Sequence, residues 1–143
     1  MVIEIPIELK NLEYRFILLK LKSKLPIEKD WETINNYSYD DKKLLEHLKN
    51  DGNYGVLAGP GNLRILDADD LEFGNKILNK LNTLTVQTCG GTYHFYVISK
   101  YDINHTFKEG EYRANKQYVV GPNCYAIDKK KKHEGWYKII WII

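Results

Sequence analysis

The stretch Leu63-Arg64-Ile65-Leu66-Asp67-Ala68-Asp69-Asp70 is an apolar run that ends in acids. Such a run is typical of a buried strand. Side chains alternate between the two faces of a strand, so Asp67 and Asp69 are predicted to project to the same side, about 6–7 Å apart along the chain. Two carboxylates held in this way can share one or two divalent cations, and oxygen ligands suit Mg²⁺ or Mn²⁺ better than zinc. Acids at the end of a strand are also common as helix caps, and Asp70 is predicted to cap the next segment.

Alternating strands and helices are predicted on both sides of this run. The predicted elements are a helix within residues 1–25, a helix from 38 to about 52, strands at 54–58 and 63–69, a helix at 71–81, strands at 84–88 and 93–98, and last strands at 118–120 and 136–142. Ser38, with Asp41 three residues later, resembles a capping box for the second helix. The turn Gly59-Pro60-Gly61-Asn62 predicts a hairpin between the first two strands, and Cys89-Gly90-Gly91-Thr92 predicts a second hairpin.

Length and composition are those of an ordinary globular protein. The 143 residues, 43% hydrophobic and 28% charged, predict a single domain over residues 1–143 with a core of its own. No apolar run is long enough to span a bilayer, and the acidic N-terminal segment does not resemble a secretory signal, so a cytoplasmic location and no membrane partner are predicted. The two cysteines are far apart in sequence and outside any Cys-x-x-Cys pattern, which argues against a disulfide framework and against zinc. The net charge of +2 is too small to indicate nucleic-acid binding by itself.

A glycine turn leads into a strand in the segment Thr88-Cys89-Gly90-Gly91-Thr92-Tyr93-His94-Phe95-Tyr96. Glycines let backbone amides approach a phosphate closely, and a histidine beside them can donate to the same anion. Gly91 and His94 are therefore candidate nucleotide-binding residues. A histidine between aromatic residues is, however, more often a packed and hydrogen-bonded core residue.

The segment Glu111-Tyr112-Arg113 alternates in the same way and predicts an acid and a guanidinium on one face. Glu111 could complete a metal site with the two aspartates, and the planar fork of Arg113 matches phosphate oxygens. A surface ion pair, common and worth little, is the alternative interpretation.

Taken in order, these motifs resemble the primase-polymerase (prim-pol) domain of the archaeo-eukaryotic primase superfamily, the N-terminal type of bifunctional DNA primase/polymerases. The matching segments and residues are Lys24-Leu25-Pro26, Trp31, Tyr54-Gly55-Val56-Leu57-Ala58-Gly59, Asp67, Asp69, His94, Glu111, Arg113, Gly121, Pro122, Gly135 and Tyr137. The chain departs from the family pattern in having glutamate as third acid, cysteine at 89 and 124 where serine is usual, and an extra residue between the glycines and His94. No zinc-binding insert is present in these 143 residues.

The resemblance implies an α/β (α+β) fold with an RRM-like, mainly antiparallel sheet flanked by helices. It also implies two-metal nucleotidyl transfer that makes or extends primers, with two Mg²⁺ or Mn²⁺ ions on Asp67, Asp69 and Glu111. His94, Arg113 and Lys116 would then bind the triphosphate of an NTP or dNTP. The predicted partners are single-stranded DNA template, primer, and a helicase or C-terminal accessory domain. The setting implied is replication of a plasmid, virus or archaeal element.

The run Lys129-Lys130-Lys131-Lys132 is the best candidate for contacts with template DNA, although such a run is usually a solvated loop. Two other functions stay open. The domain could be a non-catalytic replication initiator module that binds DNA or nucleotide. It could also be a metal-dependent nuclease, although Val86-Gln87-Thr88 stands where a nuclease would carry Glu-x-Lys on the strand after the acids.

Overall fold

A computed structural model of the chain describes residues 3–141 and contains, within that range, eleven strands and two α-helices. The strands are β1 (Phe16–Leu19), β2 (Asn53–Ala58), β3 (Leu63–Ala68), β4 (Thr85–Gln87), β5 (Tyr93–Ile98), β6 (His105–Phe107), β7 (Gly110–Arg113), β8 (Gln117–Val120), β9 (Tyr125–Asp128), β10 (His133–Trp136) and β11 (Lys138–Trp141). The helices are α1 (Lys42–Lys49) and α2 (Leu71–Leu78), and single 3₁₀ turns lie at Ile7–Leu9 and Pro60–Asn62. This mixed, mainly antiparallel architecture confirms the predicted fold class.

The strands form three sheets. The largest has the order β11-β4-β5-β3-β7-β6, with antiparallel pairing throughout, so the acid-bearing strand β3 lies inside it. A second sheet has the order β1-β2-β8, and β9 and β10 form a two-stranded hairpin. The hairpin and the large sheet together provide the walls of the cleft described below.

Each face of the large sheet has its own apolar cover. On one face, Ala68, Tyr93 and Phe95 pack with Phe73 and Ile77 of α2. On the other face, a larger cluster joins the sheet to the β1-β2-β8 sheet and to α1; its members include Ile65, Val86, Tyr96, Phe16, Tyr54, Val119 and Leu44. The alternation along β3 therefore places Ile65 and Asp67 on one face and Leu66 and Ala68 on the other.

The predicted helix within residues 1–25 is wrong over its central part, where the chain forms β1; Met1 and Val2 lie outside the described residues. Phe16 to Leu19 are all buried and pair with β2. A strand covered on both faces is continuously apolar and carries no alternation, so short apolar runs of this kind do not distinguish strand from helix.

The predicted hairpin between 54–58 and 63–69 is also wrong. β2 pairs with β1 and β8, whereas β3 pairs with β5 and β7, so the glycine-rich turn between them carries the chain from one sheet to another. The second hairpin is confirmed, because β4 pairs with β5. The last predicted strand, 136–142, corresponds to β11, whereas Trp136 ends β10 and Ile142 lies outside the described residues.

Both α-helices begin at an aspartate cap. Asp70 accepts a hydrogen bond from Phe73 N at 2.8 Å and caps α2 as predicted. For α1 the cap is Asp41, which accepts from Lys43 N, whereas Ser38 donates to Asp40. The capping box predicted at Ser38 is therefore wrong, since the N-cap of α1 is Asp41, three residues later. Neither helix is long and apolar enough to cross a membrane within residues 3–141.

Arg64 ties three segments of the large sheet together from a buried position. Its side chain donates to Ser99 O, Ala114 O and Asn62 Oδ1, at the end of β5, after β7 and before β3. Only 4% of the residue is exposed. We expect Arg64→Met to lower the free energy of unfolding by about 2–4 kcal/mol, because the buried carbonyl of Ala114 and the partly buried carbonyl of Ser99 lose a charged donor. Urea denaturation checks this, with Lys49→Met on the exposed surface of α1 as the control; equal losses in the two variants would contradict it.

The two cysteines differ in their environment. Cys124 is fully buried, and burial raises the pKa of its thiol to about 12, whereas Cys89 is half-buried.

Since the thiolate is the reactive form, we expect iodoacetamide at pH 8 to leave Cys124 unmodified in the folded protein and to modify it in denaturant. Peptide mass spectrometry measures the extent of reaction at each cysteine. Rapid modification of Cys124 in the folded protein would disagree with its burial.

Candidate active site

Asp67 lies at the centre of the charged groups on the large sheet. In β3 it is directly opposite His94 of β5 on one side and Glu111 of β7 on the other. Residues directly opposite each other in an antiparallel pair share a face. Strand pairing therefore places His94, Asp67 and Glu111 in one row, on the face away from α2.

Both carboxylate oxygens of Asp67 are engaged. Oδ1 lies 3.4 Å from His94 Nε2, and Oδ2 accepts from Arg113 Nη2 at 3.1 Å and from Arg113 Nε at 3.2 Å. Asp67 is only 7% exposed. Burial raises the pKa of Asp67, but the charges and hydrogen bonds of His94 and Arg113 outweigh burial and hold the pKa well below its usual range. Asp67 is therefore a carboxylate at neutral pH.

His94 directs one ring nitrogen to Asp67 and buries the other. Nε2 faces the carboxylate, whereas Nδ1 is buried with no hydrogen-bond partner among the described residues. The ring also lies beside Tyr137, with the ring centroids 5.9 Å apart. In this conformation the polar contact of His94 is with Asp67.

Asp69 follows β3 and has a different environment. Its side chain is 45% exposed, and its backbone N donates to Glu109 O at 2.9 Å. Partial burial, the nearby Asp67 carboxylate and Glu111 raise the pKa of Asp69, opposed by the positive charge of Lys131. The two aspartates thus have pKa shifts of opposite direction, and Asp67 holds its charge more firmly.

Arg113 bridges two of the three predicted metal ligands. Its Nη2 lies 3.1 Å from Asp67 Oδ2 and 3.4 Å from Glu111 Oε2. The guanidinium therefore neutralises part of the charge of both carboxylates.

These residues border a cleft of about 240 Å³ whose other walls come from the glycine turn and the β9–β10 hairpin. Its lining residues are Lys24, Asp67, Asp69, Thr88, Cys89, Gly90, Thr92, His94, Glu111, Arg113, Asp128, Lys131, His133 and Tyr137. Lys24 Nζ lies 3.0 Å from Asp128 Oδ2, so an ion pair joins the hairpin to the segment after β1. His133 lies directly over Gly90, because a side-chain carbon at that glycine would come within 2.6 Å of the imidazole.

Comparison with known protein families matches residues 7–140 to the Prim-Pol family, described as bifunctional DNA primase/polymerase, N-terminal. The chain belongs to the Prim-Pol family. The predicted resemblance is thereby confirmed, and the chain falls in a function family of DNA primases and polymerases, whose substrates are DNA and nucleotides. No curated protein matches the chain.

The cleft of this Prim-Pol domain contains most of the catalytic and nucleotide-binding residues predicted from the sequence. It brings together Asp67, Asp69, Glu111, His94 and Arg113. Gly91 lies in the adjoining glycine turn, where its N–H donates to Thr88 O. Lys116 lies elsewhere, exposed in the turn between β7 and β8 and not among the lining residues.

The four consecutive lysines form the turn of the β9–β10 hairpin, between Asp128 and His133. All four are exposed, and Lys131 is the one among them that lines the cleft, with Nζ 3.9 Å from Asp69 Oδ1. The sequence predicted the run as one basic strip, whereas the fold separates Lys131 from its neighbours.

Eight further lining residues were not predicted as site residues. Four of them belong to the glycine-turn segment, namely Thr88, Cys89, Gly90 and Thr92, and the other four are Lys24, Asp128, His133 and Tyr137. Lys24 and Tyr137 belong to segments that carried the family resemblance, so a signal for them was present. Asp128 and His133 flank the lysine run, and only the β9–β10 hairpin, which was not predicted from the sequence, places them at the cleft.

The three predicted metal ligands, Asp67, Asp69 and Glu111, are chemically suited to Mg²⁺ or Mn²⁺, because all three are carboxylates. The arrangement is not a ready-made metal cluster: within residues 3–141 no group of three or more His, Cys, Asp or Glu side chains is placed to hold an ion. Arg113 lies against Asp67 and Glu111, and Lys131 is the cation near Asp69. Protein cations thus occupy positions beside the carboxylates.

Gly110 allows β7 to approach β3 closely enough to place Glu111. A side-chain carbon there would lie 2.1 Å from Asp67 O, a backbone atom that cannot move aside. We expect Gly110→Ala to separate the two strands and to lower the free energy of unfolding by about 2–4 kcal/mol.

Gly91→Ala is the control for this experiment. The backbone of Gly91 has a positive φ of +88°, which strains any other residue, but nothing lies within 4 Å of a side-chain carbon added there. We expect it to cost about 1 kcal/mol through backbone strain alone. Urea denaturation of both variants is the measurement, and a loss at Gly110 no greater than that at Gly91 would contradict the close-approach argument.

Proposed function

We propose that this Prim-Pol domain is a template-directed nucleotidyltransferase that synthesises or extends primers. The observation that carries the proposal is the register of β3, which sets Asp67 beside Glu111 at a cleft that also contains Asp69 and Arg113. Family membership supports the general chemistry. The residues in the cleft support the assignment of individual roles.

In this proposal Asp67, Asp69 and Glu111 are the residues that would hold divalent Mg²⁺ or Mn²⁺. Two such ions would supply activation of the attacking 3′-hydroxyl and neutralisation of the departing pyrophosphate. The low pKa of Asp67 supports the assignment, because this carboxylate stays ionised and available as a ligand at neutral pH.

The chain's own cations would bind and orient the nucleotide. The planar guanidinium of Arg113 can donate two parallel hydrogen bonds to phosphate oxygens. His94 and the glycine turn at Gly90 and Gly91 border the same cleft or adjoin it, which supports the predicted nucleotide-binding role. Lys116 would contribute only through a rearrangement of the β7–β8 turn. Catalysis would then consist mostly of positioning and charge stabilisation.

Template DNA would contact the exposed lysines of the hairpin turn. Lys129, Lys130 and Lys132 extend from the turn next to the cleft and are exposed. Their positive charge can neutralise the phosphates of a single strand. The proposed setting is cytoplasmic replication of a plasmid, virus or archaeal element, together with a helicase or C-terminal accessory domain.

A second candidate is a non-catalytic initiator module that binds DNA or nucleotide. The observation that favours it is the pairing of Arg113 and Lys131 with the three acids, which leaves the carboxylates partly neutralised by the protein itself. Such a module would bind template without extending it.

An assay of primer synthesis and primer extension on single-stranded template distinguishes the nucleotidyltransferase from the initiator module. We expect labelled product with Mg²⁺ or Mn²⁺ from the wild type, and a loss of at least a hundredfold in Asp67→Asn and in Asp69→Asn, because each removes a charged ligand. Asp102→Asn, at an exposed position away from the cleft, is the control.

Thermal melting of each variant excludes unfolding as the cause of lost activity. Full polymerisation by Asp67→Asn would overturn the site assignment. Template binding without product in the wild type would favour the initiator module. Shortening of the DNA in the absence of nucleotides would indicate a nuclease instead.

A further inference from the structure

The turn of the β9–β10 hairpin is held over the cleft by two contacts with other segments and braced by one contact within the turn. Asp128 Oδ1 accepts from Lys131 N at 3.0 Å, and Asp128 Oδ2 lies 3.0 Å from Lys24 Nζ. At the other end of the turn, His133 lies over Gly90. These contacts fix the backbone of the turn in place, and the side chain of Lys131 reaches from it towards Asp69.

We propose that Lys131 is a ligand for the phosphates of the incoming nucleotide, with a role distinct from that of the neighbouring lysines, which serve DNA. The inference rests on the proposed function and deepens it. It divides the lysine run by position: Lys131 lines the cleft, whereas the other three are absent from its lining.

The ion pair with Asp69 is suited to exchange. Nζ and Oδ1 are 3.9 Å apart, and the two side chains are 58% and 45% exposed. A solvent-exposed pair at this distance contributes little to stability. The lysine stem is flexible, so its ammonium can leave Asp69 and reach an anion elsewhere in the same cleft without movement of the anchored backbone.

The size of the cleft favours phosphate as the group bound. At about 240 Å³ the cleft is smaller than the roughly 300–1,000 Å³ of sites that enclose drug-sized ligands. It suits the phosphate end of a nucleotide, with the sugar and base outside. Lys131 and Arg113 border it and supply positive charge for the phosphates.

Charge balance gives the second argument. In the structure Lys131 is paired with Asp69, and Arg113 is paired with Asp67 and Glu111. A nucleotide accompanied by divalent cations brings positive charge for the carboxylates and negative charge for these two side chains. Both sets of groups then exchange partners within one cleft, and no buried charge is left without compensation.

Equilibrium binding tests the division of roles. The probes are the α,β-imido analogues of dATP and ATP with Mg²⁺, titrated by calorimetry, and a fluorescent single-stranded oligonucleotide, titrated by anisotropy at several salt concentrations. The variants are Lys131→Gln and its neighbour Lys130→Gln, which makes the same chemical change on the same turn. Melting temperatures verify that both variants fold.

We expect Lys131→Gln to weaken binding of the analogue by about tenfold through loss of a charge-assisted contact, with the salt dependence of DNA binding unchanged. Lys130→Gln should leave analogue affinity unchanged and lower the salt slope for DNA by about 0.7. Lys131→Arg should restore most of the analogue affinity. Equal analogue affinity in wild type and Lys131→Gln, or a salt slope lowered by Lys131→Gln, would overturn the proposal.

Failure of this inference and failure of the proposed function give different results. A wild type that binds the analogue through Lys131 but makes no product overturns the proposed catalysis and leaves the role of Lys131 supported. A wild type that extends primers while Lys131→Gln binds the analogue normally overturns the role of Lys131 alone. Absence of analogue binding by the wild type overturns the role of Lys131.

Discussion

The pairing of β3 with β5 on one side and with β7 on the other is the constraint on which the cleft depends. Backbone hydrogen bonds set the register, and the register places His94 and Glu111 directly opposite Asp67. A shift of one residue in either pair would turn the side chains of the shifted strand to the opposite face, where α2 covers the sheet. The close contact between Gly110 and Asp67 O and the hydrogen bonds of Arg64 hold β7 in this register.

Within that framework, the charged groups differ in how firmly they are held. Asp67 is buried and bonded on both oxygens, whereas Asp69 is half-exposed and faces one flexible lysine. The opposite pKa shifts of the two aspartates follow from this difference. Asp67 is therefore held in place by its neighbours, whereas Asp69, just after the end of β3, can exchange its partner at less cost.

Sequence predicted the parts of the fold that depend on local signals. The strand predicted at 63–69, the β4–β5 hairpin and the Asp70 cap follow from an apolar run, a glycine turn and a capping residue, respectively. The acids and His94 follow from their positions on or next to those strands. Strand β1 was missed because burial on both faces removes alternation. The partners of β2 and the contact of Asp128 with Lys24 depend on distant segments, which periodicity does not encode. The β9–β10 hairpin is local, but its turn consists of four lysines and lacks the glycine or asparagine that marks a hairpin in sequence.

The contacts of the β9–β10 hairpin also bear on the order of folding. Lys24 and Asp128, which meet at 3.0 Å, are 104 residues apart in sequence, and Asn53 donates to Tyr125 O across 72 residues. Loops of this length close late, since their entropy is lost before the contacts they bring together can form. During synthesis on the ribosome, the acid-bearing strands β3 and β7 therefore emerge before the hairpin that borders the cleft. A nascent chain stopped before residue 128 has the acids of the cleft but no enclosure for a nucleotide.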